Sequence, residues 1–537
     1  MQKFLWWQKD IIYQIYPLSF MDSNNDGCGD LRGIINRLHY LEWLNIDAIW
    51  LSPIFESPMV DLGYDITNHK QINPIFGTMQ DFEELLAACH ALDIKVILDY
   101  VPNHTSDQHS WFLESRSSRS NPKRDWYLWK DAAENGGPPN NWLSAFGGSA
   151  WEWDEKTEQY YYHAFYPQQP DLNWRNPMVQ DAMFDIMRFW FDKGVDGFRI
   201  DVLWHLIKDE RFRDNPINPE YEEGKSEYHC FIPVYSADQP EVHDIVVKMR
   251  KIADEYNDRV LIGEIYLPIQ QLVNYYGLEQ RPGIHLPFNF QFILCPWNAF
   301  EIYTAINDYE ATLPDFAWPN WVLGNHDQSR VINRLGISQA KIAAMLLFML
   351  RGTPVVYYGD ELGMSDTPIP RIPDPESKQF PNLGSDRSPE RSPMQWAPFD
   401  NAGFSCAKSW LPINENYLSF NVETEAQHDN SMLMFYYRLM ELRKEEAALQ
   451  IGRYIPACQH GNALSFLRHW EDRLFLIAVN LGESDETLTI PDQLPVSGKI
   501  VFGTHPDSFG RKVSQQINLK PNEGIVGRLI YERGFYE

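Results

Sequence analysis

The sequence predicts an α/β chain built as a (β/α)8 TIM barrel, with an inserted subdomain after strand 3 and a C-terminal antiparallel β-sandwich domain. Three observations carry that expectation. Apolar, strand-like runs alternate with amphipathic helical segments from residue 11 to residue 358, and counting the runs gives eight, the number that closes a parallel barrel. Between His104 and Asp171 the alternation lapses, and Pro, Gly, Trp, Asn and charged residues follow without sustained periodicity. After Ile455 only short strands separated by turns remain. The expected divisions are a barrel over 1–103 and 172–455, an insertion over 104–171 and a C-terminal domain over 456–537.

Taken in order, Ile11 to Pro17 reads as the first strand, and Leu31, Ile34, Ile35, Leu38, Leu41 and Leu44 follow at helical spacing. Ala48 to Pro53 is the second strand. Phe82, Leu85, Leu86, Cys89 and Leu92 mark the next amphipathic helix, and Lys95 to Val101 the third strand. Beyond the insertion, a helix over Pro177 to Lys193 leads into the fourth strand, Val195 to Ile200, and a helix over Val242 to Tyr256 into the fifth, Val260 to Ile265. Ile284 to Phe290, Trp318 to Leu323 and Thr353 to Tyr358 complete the eight, with helices near 300–312 and 339–350. Such alternation implies right-handed βαβ units. A Pro-rich segment, Met364 to Pro412, follows the eighth strand, where barrel enzymes place active-site loops, and a helix covers 431–446. The C-terminal strands are Ala463–Arg468, Arg473–Asn480, Glu486–Ile490, Lys499–Phe502 and Ile525–Tyr531.

Composition removes several classes of function. Acidic residues outnumber basic ones by 74 to 46, a formal charge of -28, which repels phosphate backbones and anionic lipid surfaces. Nucleic acid and membrane are not expected partners. The N-terminus lacks an apolar core of signal-peptide length, and the run Ile342 to Leu350 is too short to span a bilayer, so the expected location is cytoplasmic. Six cysteines lie scattered without CxxC pairs, the pattern of free thiols. With no Gly-rich phosphate loop, no organic cofactor is expected.

Polar residues collect where apolar runs end. Gly194-Val-Asp-Gly-Phe-Arg199-Ile-Asp201 is a strand that runs out at an Arg and an Asp, whose side chains share one side because side chains alternate along a strand. A guanidinium two residues away favours an ionised Asp201, as a carboxylate nucleophile requires. Alone, such a pair is more often a structural salt bridge. Three similar clusters follow other strands: Asp99-Tyr-Val-Pro-Asn103-His104, Gly263-Glu264-Ile265 and Gly324-Asn325-His326-Asp327. Catalytic groups gathered from the ends of several strands are what a barrel offers. A separate loop, Asp22-Ser-Asn24-Asn-Asp26-Gly-Cys28-Gly-Asp30, sets oxygen donors on alternate residues with Gly at the sixth position, like the front of a calcium loop. Gly33 at the twelfth position excludes an EF-hand. The expected ligands of a structural Ca2+ or Mg2+ are Asp22, Asn24, Asp26, the Cys28 carbonyl and Asp30; the alternative is an Asx-rich turn capping the helix that begins at Leu31.

In order and spacing, these four clusters resemble the signature regions of glycoside hydrolase family 13, the α-amylase superfamily. Gln169-Pro-Asp171-Leu-Asn173, Gly63-Tyr64-Asp65-Ile66 and Arg391-Ser-Pro-Met-Gln-Trp396 resemble its oligo-1,6-glucosidase and α-glucosidase branch. The resemblance implies Asp201 as nucleophile, Glu264 as general acid/base and Asp327 as the third carboxylate. It also implies that His104 and His326 bind hydroxyls of the sugar in the cleavage subsite, that Tyr64 stacks beneath it, and that Arg199 orients Asp201. Asp61 and Arg391 match a pair that closes the pocket floor in the resembling α-glucosidases, and Phe146, Phe165 and Gln169 are expected at the mouth. Asp99 and Asn103 are expected to brace the site.

The implied activity is a retaining exo-α-glucosidase on short oligosaccharides or α-glucosides, with transglucosylation when a sugar or alcohol replaces water. In this branch Val after the nucleophile goes with α-1,6 activity, and Val202 stands there. The alternatives are an α-glucosyltransferase or sucrose-isomerising enzyme on the same scaffold, an endo-acting amylase, and a non-catalytic member such as a transporter heavy chain.

Overall fold

The computed structural model describes residues 4–369, 387–494 and 497–530. Eight parallel strands form one sheet: β1 (Ile12–Ile15), β2 (Ala48–Leu51), β3 (Lys95–Tyr100), β4 (Gly197–Ile200), β5 (Val260–Gly263), β6 (Leu286–Pro287), β7 (Asn320–Val322) and β8 (Thr353–Tyr357). Their order, β6-β5-β4-β3-β2-β1-β8-β7, wraps the sheet until β1 meets β8. Each strand occupies one of the predicted runs, shortened at its ends. The seam falls between β6 and β7, where Pro287 has no N–H to give to a ladder. Buried Asn320 spans that seam with its side chain: Oδ1 accepts from Asn289 N at 2.9 Å and Nδ2 donates to the Pro287 carbonyl at 2.6 Å.

Gly197 sets the distance between β4 and β5, which carry two of the signature carboxylates at their ends. A Cβ at Gly197 would lie 2.4 Å from Val260 Cγ1 and 2.6 Å from the Val260 carbonyl oxygen, so only glycine fits the Gly197–Val260 register.

The expected helix over 31–44 is two helices, Leu31–Asn36 and Leu38–Trp43, broken at Arg37, whose guanidinium lies 4.2 Å over the Trp396 ring. Helix Val331–Met349 is longer than expected and bends at Gly336, where φ is 74°. By length and composition it would also suit a membrane crossing. Here Ile342 to Met349 are buried, and the helix packs on β8, helix Met432–Glu445 and the C-terminal sheet.

The insertion is a small sheet of Trp129–Lys130, Gln159–Tyr162 and Trp151–Asp154, with a bridge between His104 and Asp171 at its base. It docks on the loop after β4: Asn140 and Asn141 side-chain amides donate to the Phe212 and Asn215 carbonyls, and Trp142 Nε1 to that of Arg213. The C-terminal unit has six antiparallel strands, Arg453–His460, Ala463–Trp470, Arg473–Asn480, Gly524–Leu529, Gly498–Gly503 and Lys512–Val513, and a second sheet of Glu486–Thr489 and Gln516–Leu519. Its first strand is one that periodicity does not show, since Pro456 sits at a bulge that breaks the alternation. Residues 370–386 of the Pro-rich segment, and Tyr531 of the last expected strand, lie outside the described residues.

Candidate active site

The four clusters converge at the C-terminal ends of the barrel strands, in a cavity of about 430 Å3 lined by Asp61, Tyr64, His104, Asp201, Glu264 and Asp327. Clefts of 500 and 550 Å3 lie against the C-terminal domain, but neither gathers these carboxylates. Chemistry, rather than size, identifies the site.

Arg199 on β4 is its buried centre. Nη1 lies 2.7 Å from Asp99 Oδ1 and 2.8 Å from Asp201 Oδ1, and Nη2 lies 2.6 Å from Glu264 Oε2. The expectation that Arg199 alone keeps Asp201 ionised needs correction. One guanidinium is divided among three carboxylates, and burial outweighs it, so the Asp201 pKa lies well above the ordinary carboxylate value. Burial also raises Glu264, against the pull of Arg199. Asp201 and Glu264 hydrogen-bond each other, so they titrate as a pair holding one proton.

Asp327 behaves in the opposite way. Burial opposes its ionisation, yet His326, Arg387 and Arg391 hold it well below the usual carboxylate range. Its Oδ1 lies 3.0 Å from Arg387 Nη1 and 2.7 Å from Arg391 Nη2. Burial keeps the His326 pKa far below 6.5, so this ring is neutral and the two guanidiniums supply the positive charge.

The pocket floor differs from expectation at two residues. Asp61 Oδ1 pairs with Arg387 Nη2 at 2.6 Å, not with Arg391. Arg391 lies one layer deeper, its Nε donating to the His326 carbonyl at 2.7 Å and its Nη2 to Asp327. Gln169 is not at the mouth: it is fully buried and donates from Nε2 to Asp61 Oδ2 at 3.0 Å, 3.1 Å from His104 Nε2. Phe146 does stand at the rim, 37% exposed, with the Arg387 guanidinium 4.4 Å over its ring. Phe165 packs between Phe146 and His104 at 5.5 and 5.4 Å.

The remaining predicted residues form the walls. Tyr64 stacks on His326 at 5.3 Å with a 4° interplanar angle, and its hydroxyl reaches Asp99 Oδ2 at 3.0 Å and His326 Nε2 at 2.7 Å. Asn103 joins buried Lys208 and Asp171, tying the base of the insertion to the loop after β4.

Residues that sequence reasoning missed fill the outer wall: Trp204, His205, Tyr228, His229, Tyr266, Leu294 and Gln328. Tyr266 lay within reach, since it stands two residues after Glu264 in an extended segment. Arg387 also had a signal, because the tripeptide Arg-Ser-Pro occurs at both 387 and 391. Tyr228 and His229 come from the long loop after β4, which has no periodicity to read.

In the loop 22–30, Asp22 Oδ1 accepts from the backbone of Asn24 and Asn25, and Oδ2 from Gly27 N and Ser405 Oγ. Asp26 Oδ1 accepts from Cys28 N, and Asp30 caps the following helix by accepting from Gly33 N. Among the described residues no three His, Cys, Asp or Glu side chains are grouped as a metal cluster. Among the described residues none of the three acids has an Arg or Lys partner, and burial together with Asp26, Asp22 and Asp30 pushes the Cys28 thiol up to about 12. Asn24 and the Cys28 carbonyl complete an all-oxygen donor set, which suits a hard divalent cation.

The sequence matches the alpha-amylase catalytic domain over residues 14–452. It is 38% identical to a salivary alpha-glucosidase of Anopheles gambiae, covering 98% of this chain and 93% of that protein. It is 37% identical to an oligo-1,6-glucosidase of Heyndrickxia coagulans, covering 94% and 96%. The solved structure of an alpha-glucosyl transfer enzyme, XgtA, superposes with a TM-score of 0.90 at 36% identity, covering 98% of this chain and all of that one. The chain belongs to the α-amylase family, glycoside hydrolase family 13.

Proposed function

We infer that the chain is a retaining, exo-acting α-glucosidase that releases α-glucose from the non-reducing end of short oligosaccharides or α-glucosides. The observation that carries this reading is the Asp61–Arg387 pair, which closes the cavity beyond the three carboxylates. A pocket with that floor holds one terminal glucose and has no exit for a chain interior.

Within it, Asp201 attacks the anomeric carbon while the proton of the Asp201–Glu264 pair, carried on Glu264, passes to the leaving oxygen. Both carboxyls are gathered on the one Arg199 guanidinium, a close pairing of the kind that a retaining enzyme uses. The glucosyl ester on Asp201 is then cleaved by water, with Glu264 acting as base. Asp327, kept ionised by Arg387 and Arg391, accepts hydrogen bonds from ring hydroxyls and stabilises the positive charge that develops on the sugar.

The test is glucose release from maltose and isomaltose with the anomer followed by NMR, beside an Asp201→Asn control. The reading requires α-glucose as first product and loss of activity in the control. Release of β-glucose would reject retention.

On finer points, we propose that Val202 favours α-1,6 linkages and that sugars or alcohols intercept the glucosyl ester to give transfer products. The likeness to an alpha-glucosyl transfer enzyme supports the second reading, in which transfer dominates. We also propose that loop 22–30 holds a structural Ca2+ or Mg2+, on the strength of its oxygen donors and of three acids with no cationic side chain beside them among the described residues.

A further inference from the structure

Gln14 is a fully buried amide inside the barrel. Ile12 points into the barrel interior with Trp50, Ile262 and Val355, and alternation along β1 turns Gln14 the same way, one layer nearer the C-terminal ends of the strands. It does not line the cavity. Burying an amide costs stability unless its hydrogen bonds are used. Gln14 Nε2 lies 3.2 Å from Ser52 Oγ and 2.8 Å from His326 Nδ1.

The far side of the His326 ring decides where its one proton lies. Asp99 Oδ2 accepts from the Tyr64 hydroxyl at 3.0 Å, so that hydroxyl has only a lone pair to offer His326 Nε2 at 2.7 Å. Asp327 Oδ2, the other neighbour of Nε2 at 3.2 Å, is a carboxylate oxygen and also only accepts. Two acceptors place the proton on Nε2 and leave a lone pair on Nδ1. Gln14 Nε2–H supplies the donor that this lone pair needs. Turning the amide over would instead set its oxygen against the lone pair.

We propose that Gln14 is a positioning residue for hydrolysis, which by donating to Nδ1 holds the His326 ring with its Nε2–H on Asp327 Oδ2 and Tyr64. The inference rests on the glucosidase reading, which gives Asp327 its work on the sugar. Arg387 and Arg391 both hold Oδ1, and His326 is the partner of the other oxygen. The plane of the carboxylate is fixed only when both oxygens are held. Gln14 therefore acts on the sugar through two intervening side chains and touches neither the substrate nor the cavity.

The experiment measures kcat and KM for maltose from mildly acidic to alkaline pH with the wild type, Gln14→Met and Gln14→Glu. Methionine fills the volume and removes the donor. Glutamic acid keeps the shape: protonated, it donates to Nδ1 as the amide does, and ionised, it draws the ring's proton to itself. Burial and the guanidiniums of Arg199, Arg387 and Arg391 outweigh Asp327 and keep the ring neutral, so it has one proton to share. The Met variant should lose roughly tenfold to a hundredfold in kcat at every pH, with KM changed by less than about threefold, as expected for lost hydrogen bonding to a charged group. Relative to the wild type at each pH, the Glu variant should be nearly restored on the acidic side and fall to the level of the Met variant or below on the alkaline side. Equal losses in both variants at all pH values would make Gln14 a filler of the barrel, and no loss in either would remove it from the reaction. Should neither variant fold, NMR of the 15N-histidine-labelled, substrate-free wild type still decides, with His326 assigned by its absence in His326→Gln. The proton should be found on Nε2, and a proton on Nδ1 overturns the proposal. That readout needs no turnover, so a wild type with the Nε2 proton that releases no glucose overturns the glucosidase reading and not the hydrogen-bond assignment.

Discussion

Val202 donates its backbone N–H to Glu264 Oε2 at 2.8 Å from a left-handed conformation, φ 37° and ψ 45°. A β-branched residue rarely adopts that conformation, which costs about 1–3 kcal/mol. The turn reverses the chain immediately after Asp201, so one residue fixes both the end of the nucleophile's strand and an amide on the acid/base.

Val202→Gly should separate those roles. Relief of strain offsets the loss of a buried side chain worth about 1.5–3 kcal/mol, so the melting temperature should stay within a few degrees. The freed backbone no longer holds its N–H on Glu264, and kcat should fall at least about tenfold, one lost charge-assisted hydrogen bond. Unchanged kcat would deny the amide a part in positioning Glu264.

The Asp201–Glu264 pair dictates how activity depends on pH. Burial raises both groups, so their shared proton is retained well above the ordinary value of 4.5 for a glutamic acid. Activity on maltose should therefore hold through mildly acidic pH and decline on the alkaline side as the proton leaves. Fluoride departs without needing a proton. Single-turnover fluoride release from α-glucosyl fluoride by Glu264→Gln should accordingly lack that alkaline limb. A limb that persists belongs to some group other than Glu264.

Much of this site was legible because strand ends carry their chemistry in short local motifs. Asp201, Glu264, Asp327, Arg199 and His104 stand around one cavity or its buried centre because each follows, or lies at the end of, an apolar run that becomes a barrel strand, whereas Tyr64, well past its strand, was legible only through the family resemblance. The floor was less legible: choosing between Arg387 and Arg391 depends on how a loop without periodicity folds over β8, and the two sites differ by one turn of chain. Gln169 was misplaced for a similar reason, since a polar residue in a loop reads as exposed until a buried partner, here Asp61, is known. Lys208, His205 and Tyr228 lie in or beside a connection whose course only tertiary contacts with the insertion define.

Stability should decline as pH rises from the mildly acidic range through neutrality. Burial raises the pKa of Asp65, Asp360 and Glu390 to about 7 each. A folded-state value above the unfolded one gives stability that is fully present below the unfolded pKa and is lost as pH rises through the folded value. Asp327, with its lowered pKa, contributes in the opposite sense and loses its share as pH falls. The melting temperature should peak on the mildly acidic side and be lower at about pH 8.5 than at about pH 5.5. A flat profile across that interval would mean that these carboxyls are compensated elsewhere.

Chelation tests the loop at 22–30. With a divalent cation bound, EDTA should lower the melting temperature and added Ca2+ or Mg2+ should restore it, by about 2.7 kcal/mol at a hundredfold excess over Kd. Asp26→Asn should weaken the response with little effect on activity at saturating metal, because the loop lies away from the lining of the cavity. If neither chelator nor cation shifts the transition, the loop is the Asx-rich cap that its hydrogen bonds already describe.

The Asp61–Arg387 pair makes the sharpest demand. Arg387 is held by Asp61 at 2.6 Å and Asp327 at 3.0 Å and lies over Phe146. Removing it leaves Asp61 without its counter-ion and Asp327 with Arg391 alone, a change of about 3–5 kcal/mol for a buried pair, and less here because Arg387 keeps some solvent contact. Arg387→Ala should therefore raise KM for maltose and isomaltose and cut kcat/KM by at least about a hundredfold. Arg391 touches Asp327 and the His326 carbonyl but not Asp61, so Arg391→Ala should act mainly on kcat. Asp61→Ala and Arg387→Ala combined should cost less than the sum of the two, since they share one interaction. If Arg391→Ala raises KM and Arg387→Ala leaves it unchanged, the floor of the pocket belongs to Arg391 after all, and the exo reading must rest on that residue instead.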